Sequence, residues 1–142
     1  MENIIVRSYK TANAQIHGQG RNTYAVKTII DDISKCSANF VEVDPGNFAY
    51  GYHFHENNEE VFYIIKGEAS VKTESGDILL KEGDAICFPA NQSGSHVISN
   101  PSKTEKLVYL DFGTANRPDV VRFTGTNMGM VVTKDSIINF KQ

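Results

Sequence analysis

Residues 45–67 have the sequence PGNFAYGYHFHENNEEVFYIIKG, in which His53 and His55 are two positions apart. In an extended strand, residues with this spacing point to the same face, so the two imidazoles can converge on one point. Glu60 follows at the start of a new apolar run, and His96 comes later in the segment GSHVISN. Histidines and a carboxylate distributed over several short strands indicate a metal site built on β-structure.

Each of these features has a simpler interpretation when it stands alone. A single histidine on a strand is usually a surface or core residue, and a His-x-His pair is also compatible with a solvated strand face. The combination favours a metal site, because three of the four histidines of the chain fall in these two segments. Glu59 competes with Glu60 as a ligand, and the two adjacent side chains would face opposite sides of a strand.

The segment resembles the first sequence motif of the cupin family, G-x(5,6)-H-x-H-x(3,4)-E-x6-G. Six residues separate Gly46 from His53, four separate His55 from Glu60, and six separate Glu60 from Gly67. The family spacing therefore favours Glu60 over its neighbour as the carboxylate ligand.

Residues 83–100 resemble the second cupin motif, G-x5-P-x-G-x2-H-x3-N. The spacing from Gly83 to Pro89 and that from His96 to Asn100 both match the motif. The middle is two residues longer than the family pattern and carries asparagine where a glycine is usual. Counting forward from Pro89 puts Gly94 at the histidine position, whereas counting back from Asn100 puts His96 there. Glycine has no donor atom and a loop tip tolerates insertion, so we predict His96 as the ligand.

Short strands separated by Gly, Pro, Asn and Asp turns predict an all-β sandwich or barrel. The cupin resemblance narrows this class to a double-stranded β-helix jelly-roll barrel. It covers about residues 40–112 and implies one cupin domain over 1–142, with N-terminal strands or an arm and a short C-terminal tail. Residues 13–22 are predicted to be a loop and 135–140 one helical turn. The predicted strands are 24–30, 40–43, 50–55, 60–66, 69–73, 78–80, 85–88, 96–99, 106–112, 120–123 and 128–132.

Composition excludes several other classes. The formal net charge is −3, which gives no support to binding of nucleic acid. No apolar stretch approaches the roughly 20 residues of a membrane span, and the N-terminus lacks a signal pattern, so we expect a cytoplasmic protein with no membrane contact. The two cysteines are expected to be reduced, with Cys87 as a small buried residue.

The resemblance implies one divalent transition metal per chain, namely Zn, Fe, Ni or Mn. Its predicted ligands are His53, His55, Glu60 and His96. The function predicted from it is metal-dependent turnover of a small organic substrate by a dioxygenase, isomerase or lyase. The alternative is a cupin that binds a metal or small molecule without turnover, as a sensor or regulatory module. No catalytic residue beyond the ligands is identified.

Two further expectations concern the surroundings of the site. The resemblance implies a homodimer, for which residues 4–6 and 24–30 would provide pairing strands. The barrel interior is expected to hold aromatic residues that pack in the core, among which a tyrosine could hydrogen-bond a ligand. The candidates are Phe48, Tyr50, Phe54, Phe62, Phe88 and Tyr109. His17, in the predicted N-terminal loop, is expected to be an exposed histidine.

Overall fold

A computed structural model describes residues 1–142 and contains thirteen strands and no α-helix. The strands are β1 (Gln15–Gln19), β2 (Asn22–Thr28), β3 (Cys36–Val43), β4 (Phe48–His55), β5 (Glu60–Lys66), β6 (Glu68–Thr73), β7 (Gly76–Lys81), β8 (Ala85–Phe88), β9 (His96–Ser99), β10 (Leu107–Thr114), β11 (Asp119–Phe123), β12 (Met128–Val132) and β13 (Ile137–Lys141). A 3-10 turn at Gln92–Gly94 precedes β9. No helix of the length and apolar character needed to span a bilayer is present.

The strands form two sheets that pack face to face as a jelly-roll barrel. One has the order β1-β2-β3-β10-β5-β8 and the other β13-β12-β11-β4-β9-β6-β7. Neighbouring strands run antiparallel throughout, as in the pairs β3–β10 and β4–β9. The predicted all-β jelly roll is therefore confirmed.

Alternation along the strands places the core between the sheets. On β5, Phe62 and Ile64 are 2% and 0% exposed, whereas Tyr63 between them faces outward and is 44% exposed. Side chains of both sheets contribute to one buried apolar cluster, which consists of Val41, Val43, Ala49, Phe62, Ile64, Ala69, Val71, Phe88, Ile98, Leu107 and Tyr109.

The glycine and asparagine that end the two sequence motifs have structural roles. Gly67 has a φ of 81°, and a Cβ there would lie 2.6 Å from the carbonyl oxygen of Lys106, so only glycine fits. Asn100 is buried, and its Nδ2 donates at 2.8 Å to the carbonyl oxygens of Val43 and Glu105. These contacts tie the β9–β10 connection to β3.

Three expectations were wrong at the edges of the sheets. Strand β1 lies inside the predicted loop 13–22, and β13 occupies most of the predicted helical turn at 135–140. All five residues of β1 are exposed, so no apolar alternation marks this strand in the sequence. Cys87 is exposed rather than buried, because β8 is an edge strand and Cys87 alternates with the buried Phe88.

The homodimer stays a prediction. Ile4 and Val6 of the N-terminal arm are 96% and 84% exposed, and Ile16 of the edge strand β1 is 70% exposed. These side chains leave apolar surface on the single chain that a second copy would cover.

Candidate metal centre

The four predicted ligands lie on three strands drawn from both sheets. β4 and β9 pair so that His53 is opposite His96, and His55 follows on the same face of β4. Glu60 begins β5 in the other sheet. The pairing of β4 with β9 and the packing of the two sheets thus bring side chains that are distant in sequence to one place between the sheets.

The three imidazoles converge on one carboxylate oxygen. Glu60 Oε1 lies 3.1 Å from His55 Nε2, 3.4 Å from His96 Nε2 and 3.9 Å from His53 Nε2. The ligand atoms of His53, Glu60 and His96 all lie within 4.8 Å of one another, a spacing compatible with one shared metal ion. His55 is outside that group of three, although its Nε2 approaches Glu60 most closely.

In His53 and His96 a hydrogen bond from the second ring nitrogen, Nδ1, fixes the orientation of the ring. His53 Nδ1 donates to the carbonyl oxygen of Gly51 at 2.6 Å, and His96 Nδ1 donates to that of Gly94 at 2.8 Å. A carbonyl oxygen can only accept, so Nδ1 carries a hydrogen in both rings. The Nε2 atoms of both rings therefore face Glu60.

Two atoms at the centre fit a bound cation. Glu60 Oε1 and His96 Nε2 are buried and have no hydrogen-bond partner. A buried polar atom without a partner is costly. A metal ion shared by the two atoms would satisfy both, so the residues present fit a metal.

The pKa values of the cluster are shifted by burial and by mutual contacts. Burial, reinforced by the neighbouring His96, lowers the pKa of His53 to about 4. Burial would also lower the pKa of His55, but its hydrogen bond to Asp119 and the adjacent carboxylate of Glu60 raise it to about 10. Burial would raise the pKa of Glu60, yet its contacts with His55 and His96 hold it well below the usual range. His53 and Glu60 thus already have the protonation states of metal ligands, whereas His55 must lose a proton to bind a metal.

Asp119 is a functional candidate that the sequence analysis missed. It is buried at the start of β11, and its Oδ2 accepts from His55 Nδ1 at 2.8 Å. The same carboxylate accepts from the backbone N–H of Asn57 at 3.0 Å and from Asn58 Nδ2 at 2.9 Å. It therefore orients the His55 ring and fixes the turn that leads into β5. No local motif marks it, since 64 positions separate it from His55.

Asp119→Asn should weaken metal binding by about 10- to 100-fold, the usual range when the partner of a ligating histidine is changed. The amide has no negative charge, so it supports His55 less well as a ligand. Affinity is measured by competition with a chromophoric chelator, and thermal melting checks that the fold is retained. Asp135→Asn, which changes an exposed aspartate in the C-terminal segment, is the control. Equal affinities of the two variants would contradict the role of Asp119.

A cavity of about 470 Å³ adjoins the cluster between the sheets. Its wall is mainly aromatic and aliphatic, and no lysine or arginine lines it. Besides Glu60, one other carboxyl group lines the cavity, that of Asp111. Burial and the neighbouring Glu60 raise the pKa of Asp111 well above the usual range. The lining residues are Asn22, Tyr24, Ser37, Tyr50, Gly51, His53, His55, Glu60, Phe62, Asp111, Val121, Phe123, Met130 and Val132.

Four of the six predicted interior aromatics lie inside the barrel. Tyr50 and Phe62 line the cavity, and Phe62, Phe88 and Tyr109 belong to the buried core. Phe88 stacks on His96 with ring centroids 3.6 Å apart.

The expectation was wrong for Phe48 and Phe54. Phe48 lines a depression on the outer face of the sheet together with Tyr52 and Lys72. Phe54 alternates with His53 and His55 and so faces away from the cluster.

Comparison with known proteins identifies a family and two relatives to which this sequence is similar. The sequence model of the family described as "Cupin domain" matches residues 39–113, which include all four predicted ligands. A "Probable oxalate decarboxylase" from Arthroderma benhamiae is 33% identical over 109 residues, covering 72% of this chain and 26% of that protein. An "Oxalate-binding protein" from Thermotoga maritima is 34% identical over 65 residues, covering 46% of this chain and 51% of that protein. The chain thus spans about a quarter of the first and half of the second.

A solved structure is similar over nearly the whole chain. It is a sugar phosphate isomerase from Silicibacter pomeroyi, with a TM-score of 0.83 and 17% sequence identity. The alignment covers 95% of this chain and 91% of that one. At this identity the likeness shows a shared fold and carries no statement about the reaction.

Proposed function

This chain belongs to the cupin family, and from that premise we propose that it is a metal-dependent enzyme acting on a small organic substrate. The observation that supports this most strongly is the convergence of three imidazole Nε2 atoms on Glu60 Oε1. That oxygen and His96 Nε2 are buried without a partner, as expected of groups arranged for a cation.

In this proposal His53, His55, Glu60 and His96 hold one divalent transition metal. Three imidazoles and one carboxylate suit Zn, Fe, Ni or Mn. When bound, such an ion would act as a Lewis acid toward a substrate oxygen or provide a site for O₂. The chain's own contribution is to orient the rings through Gly51, Gly94 and Asp119 and to surround the reacting groups with an apolar wall.

The adjoining cavity supports a catalytic rather than a closed structural site. Its 470 Å³ lies directly against His53, His55 and Glu60, so a substrate can reach the ligands. Oxalate is the first compound to assay, because two relatives carry it in their names. The metal found would direct the next assay, with iron pointing to oxygenation and zinc or manganese to isomerase or lyase chemistry.

A second candidate function is binding without turnover. The Thermotoga maritima relative is named an oxalate-binding protein, which favours this alternative. A panel of small organic acids separates the two functions, since the metal-loaded enzyme should form product from at least one compound. Binding across the panel with no product would favour the binding protein.

Elemental analysis of protein purified without affinity nickel tests the proposal. We expect about one transition metal per chain in the native protein, as for a mononuclear site. Glu60→Gln should be substoichiometric, because an amide cannot provide the anionic oxygen. Glu59→Gln is the matched control, since Glu59 is the adjacent carboxylate and is exposed. Native protein that takes up no metal even after reconstitution, or equal metal content in the two variants, would overturn the proposed site.

A further inference from the structure

Strand β4 carries a bulge immediately before its two histidines. Its pairing with β9 passes from Ala49–Ile98 to His53–His96, so four positions along β4 correspond to two along β9. Within this bulge Tyr50 has a φ of 60°. The left-handed region is disfavoured for a residue with a Cβ, and a bulky side chain there is a true outlier.

The bulge changes the direction of one side chain. Simple alternation would place Tyr50 with Phe48 and Tyr52, which line the outer depression of the sheet. Instead Tyr50 lines the inner cavity together with Gly51 and His53. Bulges commonly re-aim a side chain next to an active site, and strained backbone tends to be kept where function requires it.

Strand β2, in the opposite sheet, holds Tyr50 in this position. The Asn22 side chain, oriented with Nδ2 toward β4, donates to the carbonyl oxygens of Tyr50 at 2.9 Å and Phe48 at 3.1 Å. Two residues along β2, the Tyr24 ring packs against that of Tyr50 with centroids 4.5 Å apart. We call Tyr24 and Tyr50 the tyrosine wall of the cavity.

The tyrosine wall adjoins the proposed metal ligands. The centroid of the Tyr50 ring lies 6.4 Å from that of His53. Phe62 and Phe123 also line the cavity. Its carboxyl groups are those of Glu60 and Asp111. The cavity therefore offers aromatic faces beside a metal-ligand cluster, and no lysine or arginine lines it to bind a second anionic group.

We propose that the tyrosine wall stacks against the flat, conjugated body of the substrate while the chelating oxygens of that substrate face the His–Glu cluster. The inference rests on the proposed metal-dependent function and specifies its substrate class. That class is a planar unsaturated chelator whose body extends from the His–Glu cluster along the tyrosine wall. The left-handed backbone at Tyr50 presents the ring to this substrate.

The test compares two hydroxamates that share one chelating group and differ in the attached body. Cobalt(II)-loaded protein is titrated with acetohydroxamate and with benzohydroxamate, and the visible absorption of cobalt reports binding. Tyr50→Asn should lower the affinity for benzohydroxamate by about three- to tenfold, the size of one aromatic contact, and leave acetohydroxamate unchanged. Asparagine tolerates positive φ, so this variant removes the ring at small cost to the bulge. Tyr50→Phe should retain the benzohydroxamate affinity.

Tyr63→Asn serves as the control, because Tyr63 is exposed on the outer face of β5. Equal losses for both hydroxamates in Tyr50→Asn, or no loss for either, would overturn the substrate class while leaving the metal site intact. Failure of the wild-type protein to take up cobalt would overturn the proposed function and this inference together. The two failures are distinguishable because cobalt uptake is measured before any hydroxamate is added.

Discussion

Replacing His96 with alanine is expected to remove metal from the purified protein almost completely. His96 Nε2 lies 3.4 Å from Glu60 Oε1 and is buried without a hydrogen-bond partner. The variant therefore loses one of the four proposed metal ligands. Changing the hydrogen-bond partner of a metal ligand already costs about 10- to 100-fold in affinity, and loss of the ligand itself should cost more than 100-fold. Elemental analysis and chelator competition measure this effect.

The same substitution should also reduce stability moderately. The His96 ring is 2% exposed and stacks on Phe88 at 3.6 Å, so its removal leaves a gap beside the core. We expect a loss of about 2 kcal/mol in the free energy of unfolding, with the barrel still folded because the backbone pairing of β9 is unchanged. His17→Ala is the control, since His17 is an exposed histidine on β1. Full metal occupancy in His96→Ala would show that the second motif had been aligned to the wrong residue.

Gly94→Ala is expected to be the most destabilising small substitution near the site. A Cβ at Gly94 would lie 1.9 Å from the carbonyl oxygen of Pro89 and 3.0 Å from its carbonyl carbon. Both are backbone atoms, so the loop itself must shift. We expect a loss of about 3 kcal/mol, at the upper end for overpacking, and a decrease in Tm of roughly 10 °C.

This substitution should also disturb metal binding, because the carbonyl oxygen of Gly94 accepts the hydrogen of His96 Nδ1. Chemical denaturation and chelator competition on the same sample measure both effects. Gly125→Ala is the control: Gly125 has a φ of 81° but open space around it, so alanine should cost only about 1 kcal/mol. Equal stability of the two variants would show that the loop next to Pro89 relaxes without cost.

Much of the fold could be predicted from local sequence. Strands β5, β8, β9 and β12 have the predicted bounds, and the strands predicted at 69–73 and 78–80 are found, slightly longer, as the paired strands β6 and β7. These strands have strong apolar patterns or clear turn signals at their ends. The jelly roll itself came from the resemblance to cupins, because strand patterns alone do not distinguish a sandwich from a barrel.

The extra length in the second motif has a structural explanation. Asn91 has a φ of 73° and is followed by the 3-10 turn at Gln92–Gly94. The added residues are thus taken up in the loop, and His96 enters β9 directly opposite His53. Counting back from Asn100 identified the histidine that lies in the cluster, although its role as a metal ligand stays a prediction.

Most of the strands with a buried face and the candidate ligands could be identified from residue spacing along the chain. Asp119 could not, because it meets His55 only in the folded barrel and no spacing rule connects residues 64 positions apart. The tertiary structure also decided the direction of Tyr50, because a two-residue period cannot anticipate a bulge. The edge strands β1 and β13 were missed for a related reason: their residues are mostly exposed, and pairing with a neighbouring strand, rather than burial of one face, makes them strands.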